Sequence, residues 1–147
     1  MRSHKLYKLM ALLLLSGLLL TACGSSGTAT PVGSNLLGKT WLWQTTAFNS
    51  GNDVTPLKPA NYTLQFLANG KVEITADCNS GSGSYSTPNG VNLTIQIETL
   101  TQAVCPTGSL SDEYIRELNN TVSYSIQRNG ELVLGLQSGG GMRYAAQ

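Results

Sequence analysis

Three cysteines at positions 23, 78 and 105 are the residues of this 147-residue chain with the widest choice of chemistry. Their thiols could bind a metal, attack a substrate, accept a lipid or form a disulfide. A structural zinc site needs four Cys or His ligands, and a Cys–His catalytic pair needs a histidine. The one histidine, His4, lies in a stretch that we interpret as a removed leader. A metal site is therefore poorly supported, Cys–His catalysis is excluded, and we predict no metal and no cofactor.

The first 22 residues are typical of a signal peptide. A basic segment, residues 2–8, precedes an apolar segment of about 12 residues, which is too short to span a bilayer. The residues LTAC at positions 20–23, followed by Gly24, resemble the lipobox of bacterial lipoproteins, where the cysteine thiol is joined to diacylglycerol before cleavage. We predict that residues 1–22 are a lipoprotein signal peptide and that Cys23 is lipidated. An ordinary secretory leader is the alternative.

Lipidation of Cys23 would determine where the protein resides. More than one acyl chain on a residue gives stable anchoring, so we expect an exported protein held on a membrane of the bacterial envelope. Gly24 at the next position suits the outer membrane, facing the periplasm, in a cell with two membranes. The small and polar residues 23–36 predict a flexible tether of roughly 20 Å. The net charge of +1 provides no basic field for nucleic acid, so we predict no such partner.

Cys78 and Cys105 remain once Cys23 is assigned to lipid. In an oxidising compartment, two remaining thiols predict one disulfide, while two separate thiols or a reactive cysteine are the alternatives. Closing a loop of about 28 residues would stabilise the fold by roughly 3.5 kcal/mol. Cys78 shares the apolar face of a predicted strand with Val72 and Ile74, so we expect it to be buried.

Alternation of apolar and polar residues dominates the chain from Leu37 onward and predicts antiparallel strands with one buried face. Such segments occur at 41–44, 62–66, 71–78, 91–98, 122–127 and 132–136. Val91 and Val122 fall in the apolar phase of their segments. Three Asn-Gly pairs, at 69–70, 89–90 and 129–130, predict tight turns between strands.

One helix is predicted between the strands, from Ser111 as its capping residue to Asn119-Asn120. Asp112 and Glu113 lie in its first turn, where the helix dipole favours negative charge. Its apolar face consists of Tyr114, Ile115 and Leu118. Because so short a helix is marginal alone, we expect it to pack on the sheet and close one open end. The predicted fold of residues 37–147 is mainly β: a small antiparallel β-barrel or strongly bent sheet of seven or eight strands with one short α-helix.

Several segments of this domain resemble the META domain family, which includes the HslJ-like heat-inducible envelope proteins. The most specific is Cys78-Asn79 followed by Gly83 and Tyr85. The other matching pieces are LGKTW at 37–41, YTLQF at 62–66, the turn at 69–70, the strand at 91–97, Thr101, Cys105, Pro106 and the helix at 113–118. The chain departs from the family at Ala103 and Val104, where Met and Ala are usual.

The resemblance implies a small barrel with no agreed enzymatic activity, similar in architecture to lipoprotein pilotins, which bind a partner's tail or a lipid. Members of the family are linked to heat stress, drug tolerance or secretion. We therefore expect a non-catalytic, lipid-anchored envelope protein that binds a protein or peptide partner in envelope stress or secretion.

Two other functions stay open in the sequence. Trp41 and Trp43 share one face of a strand, so they could line a barrel interior that carries a small apolar ligand, although core packing is the simpler role. With Tyr85 they are also our candidate face for a ligand or partner. A hydrolase would need paired carboxylates, but the available ones fall on exposed strand phases or in the first turn of the helix: Glu73, Asp77, Glu98, Asp112 and Glu113.

Overall fold

Eight antiparallel strands form one strongly bent sheet in the computed structural model, which describes residues 33–147. The strands are β1 (Thr40–Ala47), β2 (Tyr62–Phe66), β3 (Lys71–Ala76), β4 (Asn79–Ser86), β5 (Thr94–Leu100), β6 (Thr121–Ile126), β7 (Leu132–Leu136) and β8 (Gly141–Ala146). The α-helix α1 spans Ser111–Asn119, and short 3-10 helices span Ser34–Leu36 and Pro59–Asn61. The predicted signal peptide, Cys23 and the tether up to residue 32 lie outside the described residues.

The sheet has the strand order β5-β4-β3-β2-β1-β8-β7-β6, which places β5 and β6 at its two edges. These edges meet where the Leu93 N–H donates to the Val122 carbonyl at 3.1 Å and the Tyr124 N–H to the Val91 carbonyl at 3.0 Å. Farther along β5, the Asn119 side chain of α1 accepts the Ile97 N–H at 2.8 Å. The result is a half-barrel with α1 against its open side, and the predicted fold class is confirmed.

The three Asn-Gly turns share one local geometry. The glycines at 70, 90 and 130 have φ angles of 77°, 77° and 86°, in the left-handed region that glycine adopts without a steric penalty. None of the three asparagines has a positive φ. Instead, each Asn Oδ1 accepts the backbone N–H two residues later, which is that of Lys71, Val91 or Glu131. Each dipeptide therefore combines a left-handed glycine with an asparagine that caps the turn.

Three predictions of burial are wrong. Strand β3 ends at Ala76, and Asp77, with a left-handed φ of 59°, turns the chain so that Cys78 is exposed. Val91 precedes β5 and is 62% exposed, while Val122 is 41% exposed because a bulge between Thr121 and Ser123 reverses the inward phase of β6. A left-handed residue or a bulge shifts the period-two pattern that the prediction extended.

The start of α1 also differs from the prediction. Ser111 is its first helical residue and not its cap, and Leu110 occupies the N-cap position. The Ser109 Oγ accepts the Ser111 N–H at 3.3 Å, so the serine two residues earlier supplies the side-chain oxygen. Tyr114 and Leu118 are completely buried, as the apolar face predicts, and Ile115 is half-buried.

Aromatic rings fill the space between α1 and the sheet. The Tyr114 ring lies 5.2 Å from the Trp43 ring and 5.6 Å from the Tyr62 ring, and those two are 5.4 Å apart, all measured between centroids. Burial raises the pKa of the Tyr114 and Tyr144 phenols, so both are neutral at physiological pH. Leu36 is also completely buried, so the folded part begins before the expected boundary at Leu37.

Residues 33–147 contain no helix that is both long and apolar enough to cross a membrane.

Gly83 lies at the bulge between β4 and β5, where a side chain has no room. A Cβ there would overlap the Gln96 carbonyl oxygen and lie 2.8 Å from the Ile97 Cα. Gly83→Ala should lower the free energy of unfolding by about 3 kcal/mol, because two backbones must separate. Urea unfolding measures this, with Ser86→Ala at an exposed position of the same strand as the control. Equal stabilities of the two variants would contradict the close approach.

Candidate functional site

The aromatic residues of the candidate ligand face are internal packing residues. Trp41 and Trp43 are completely buried, and their indole N–H groups donate to the Leu36 carbonyl at 3.1 Å and the Thr46 hydroxyl at 3.0 Å. The Tyr85 hydroxyl donates to the Leu67 carbonyl at 3.1 Å, and burial, with a smaller effect of Tyr124, raises its pKa. The three side chains therefore form no shared exposed surface.

The candidate carboxylates of the sheet have structural partners. Glu98 accepts from the Ser84 hydroxyl at 2.7 Å and pairs with the Lys71 ammonium at 3.1 Å, and these two contacts lower its pKa. A general acid near neutral pH needs the opposite shift. Asp77 accepts the Asn61 side-chain amide at 3.0 Å, and Glu73 lies exposed on β3. Within residues 33–147, no three His, Cys, Asp or Glu side chains are grouped to hold a metal ion.

Cys78 and Cys105 lie at disulfide distance, with their Cα atoms 5.3 Å apart, which supports the predicted pairing. The bond joins the β3–β4 turn to residues 101–110, the segment between β5 and α1, which we call the disulfide loop. Because Cys78 is exposed and Cys105 half-buried, the bond lies at the surface and not in the core. It fixes a loop that has no regular secondary structure of its own.

The Asn79 side chain holds the same loop by hydrogen bonds. Its Oδ1 accepts from the Thr101 hydroxyl and from the Ala103 N–H, both at 2.9 Å. Its Nδ2 donates to the Ala103 carbonyl at 3.2 Å, so one amide satisfies both backbone groups of Ala103. In the sequence, Asn79 stands out only as part of the Cys78-Asn79 segment that resembles the META domain family, and that resemblance assigns it no role.

A crevice opens between the disulfide loop and the segment that precedes β2. Its volume is about 300 Å³. It is lined by Leu57, Lys58, Asn61, Tyr62, Asp77 and residues 106–110. The Leu110 N–H donates to the Tyr62 hydroxyl at 2.9 Å, so the loop is attached to the sheet at its far end as well.

Two apolar side chains, one in the crevice and one in the disulfide loop that forms its wall, are almost completely exposed. Leu57 lines it, Val104 precedes Cys105 in the disulfide loop, and each is 99% exposed. Most isolated apolar residues on a surface need no explanation, but Leu57 lines a recess, and Val104 belongs to the disulfide loop that forms the opposite wall of that recess. Lys58 and Asp77 on the walls carry opposite charges, so the crevice has no strong charge of its own. The arrangement can accept an apolar side chain of a binding partner.

Asn79→Ala should free the disulfide loop while leaving the disulfide in place. Three partly buried hydrogen bonds are lost, so we expect the free energy of unfolding to fall by about 2–3 kcal/mol. Faster amide hydrogen exchange at Ala103 should accompany the change. Asn92→Ala, at an exposed asparagine, is the matched control. If Asn79→Ala unfolded like the control and Ala103 kept its protection, the loop would not depend on this amide.

Two solved structures share the fold. One is the NMR structure of a protein from Burkholderia xenovorans, with a TM-score of 0.60 and 19% identity over 76% of this chain and 83% of that one. The other is the crystal structure of a DUF4847 family protein from Bacteroides vulgatus, with a TM-score of 0.57 and 16% identity over 78% of this chain and 96% of that one. At these identities the likeness concerns the fold alone.

The comparison with curated proteins finds no match. The model of the META domain family matches residues 34–147, which include every described strand and α1. This family is not a known enzyme family. The match covers well over half of the sequence and begins at the residue that opens the first 3-10 helix. The chain therefore belongs to the META domain family.

Proposed function

We propose that this protein is a non-catalytic, lipid-anchored envelope protein whose META domain binds a protein or peptide partner at the crevice. The observation that carries the proposal is a recess lined by the exposed Leu57 and by the disulfide loop, which also carries the exposed Val104. The role of the complex in envelope stress or secretion rests on the family resemblance.

The physical argument starts from the energy available to a partner. Burying a side chain of the size of Leu or Val removes apolar surface from water and gives about 1.5–3 kcal/mol. The disulfide and the Asn79 amide already fix the loop that carries Val104. Little conformational entropy of this loop is therefore lost when a partner binds. A recess of about 300 Å³ is at the small end of ligand pockets and suits one or two side chains of a peptide segment.

The interior of the half-barrel supports surface binding over the alternative of an apolar carrier. A carrier needs a cavity, but the side chains that would line it are packed against one another and completely buried: Trp41, Trp43, Leu64, Tyr114, Leu134 and Tyr144. Both tryptophan N–H groups already have protein acceptors.

The lipid on Cys23 is the second half of the proposal and is supported by the lipobox pattern. Nine residues separate Cys23 from Gly33, the first described residue. A flexible segment of that length reaches about 18 Å. The domain would therefore remain close to the membrane surface, where its partner is expected.

The crevice can be tested by photo-crosslinking in cells with benzoylphenylalanine at position 57 or 104. Both positions should yield the same crosslinked protein, and position 91, another exposed valine, is the control. The purified partner should bind the purified protein, and Leu57→Asp should weaken that affinity by about tenfold or more, about 1.4 kcal/mol. Different products at 57 and 104, equal capture at 91, or unchanged affinity of Leu57→Asp would overturn the proposed binding face.

Cys23→Ala should release the protein from membranes, because the acyl chains on that residue are its proposed anchor. Fractionation of cells followed by immunoblotting measures the distribution. Cys105→Ser, which removes a different cysteine, is the matched control and should stay with the membrane. A Cys23→Ala protein that remained in the membrane fraction would contradict lipid anchoring at this residue.

A further inference from the structure

A second pocket lies beside α1 and shares no lining residue with the crevice. Its volume is about 530 Å³, and we call it the α1 pocket. It is lined by Phe48, Asn49, Ser50, Asn52, Val54, Glu113, Arg116, Glu117, Asn120 and Ser138. The loop after β1 forms one wall, because Val54 pairs with Thr46 and brings the chain back along the strand.

The carboxylate of Glu117 is the unusual group in this pocket. Its side chain is only 5% exposed, and its Oε1 accepts from the Arg116 Nε at 3.1 Å. Its Oε2 is buried and has no hydrogen-bond partner among the described residues. A buried polar atom left in this state lowers stability by about 1–3 kcal/mol, and more when it is charged. Native proteins keep such an unpaired polar atom at few places, and one of them is a binding site, where a ligand can supply the missing hydrogen bond.

The neighbouring cation, the Arg116 guanidinium, already has two carboxylate partners. Arg116 pairs with Glu113 as well as with Glu117, so its guanidinium lies between two carboxylates. The pocket therefore contains two negative charges and one positive charge, which disfavours an anionic ligand. Because Arg116 already pairs with Oε1 of the Glu117 carboxylate, the attraction of that carboxylate for a ligand cation is reduced. A neutral hydrogen-bond donor needs no further charge in the pocket.

The other polar side chains of the α1 pocket indicate which kind of donor group the ligand carries. The asparagine and serine side chains of the lining both donate and accept hydrogen bonds, and a hydroxyl is the ligand group that can do the same. Phe48 and Val54, both partly buried, add an apolar patch that suits the C–H face of a ring. We propose that the α1 pocket binds a neutral polyhydroxylated ligand, a saccharide unit, with one hydroxyl donating to the Glu117 carboxylate.

One wall of the α1 pocket is already fixed before a ligand binds. Gly139, with a left-handed φ of 86°, lies against the Asn49 side chain, and a Cβ at 139 would be 2.5 Å from the Asn49 Nδ2. The absence of a side chain at this glycine lets the amide rest directly on the β7–β8 turn. A group fixed before binding loses less entropy when the ligand arrives.

Saturation-transfer NMR on the full lipidated chain, in a detergent without sugar, tests the proposal. The probes are glucose, N-acetylglucosamine and maltose, with putrescine and phosphate as a cationic and an anionic comparison. At least one saccharide should bind, with a Kd of about 1 mM or below, and more tightly than either comparison. Binding of none of the three, or tighter binding of putrescine or phosphate, would overturn the proposal.

Two variants assign any binding to this pocket. Glu117→Gln keeps the shape of the side chain but replaces one acceptor oxygen with a donor, and should weaken saccharide binding about tenfold or more. Asn52→Trp changes an exposed lining residue and should block the pocket, which keeps the test valid if Glu117→Gln fails to fold. Glu131→Gln, in the β6–β7 turn, is the control and should bind normally. Binding unchanged in Asn52→Trp would overturn the assignment.

Discussion

The packing of Tyr114 against Trp43 and Tyr62 is the contact on which the rest of this structure depends. A sheet with two edge strands leaves one side of its interior open, and an isolated helix of nine residues is marginal in water. One aromatic side chain meets both needs, because it anchors α1 and fills the space that the half-barrel encloses. The interior is then a packed core, and the crevice and the α1 pocket lie at the surface.

The position of α1 is in turn linked to the disulfide loop that precedes it. That loop is held at its start by Asn79, in its middle by Cys105 and at its end by the bond from the Leu110 N–H to the Tyr62 hydroxyl. Tyr62 thus contacts both the loop and the aromatic cluster. The crevice and the α1 pocket lie on different surfaces of the domain, yet both have walls fixed by this connected set of contacts.

Much of the fold was predictable because a strand with one buried face imposes a period of two on the sequence, and β2 and β7 follow it closely. The errors at Cys78 and Val122 arose where a left-handed residue or a bulge shifted that period. Asn79 and Glu117 could not be assigned from the pattern, since each is a polar residue buried by contacts from distant segments. The tryptophans Trp41 and Trp43 illustrate a second limit of prediction. That they share one face of a strand could be read from the sequence, but not whether this face lines a cavity or a packed core.

The attachment of the N-terminal segment has a mechanical consequence. Leu36 is buried in the core and accepts the Trp41 indole N–H, and β1 begins only four residues later, between β2 and β8 at the centre of the sheet. Tension applied through a membrane tether would therefore load an interior strand that is hydrogen-bonded on both sides, in shear along two ladders. A domain pulled from this end would resist extension far better than one pulled from an edge strand, which can peel away one bond at a time.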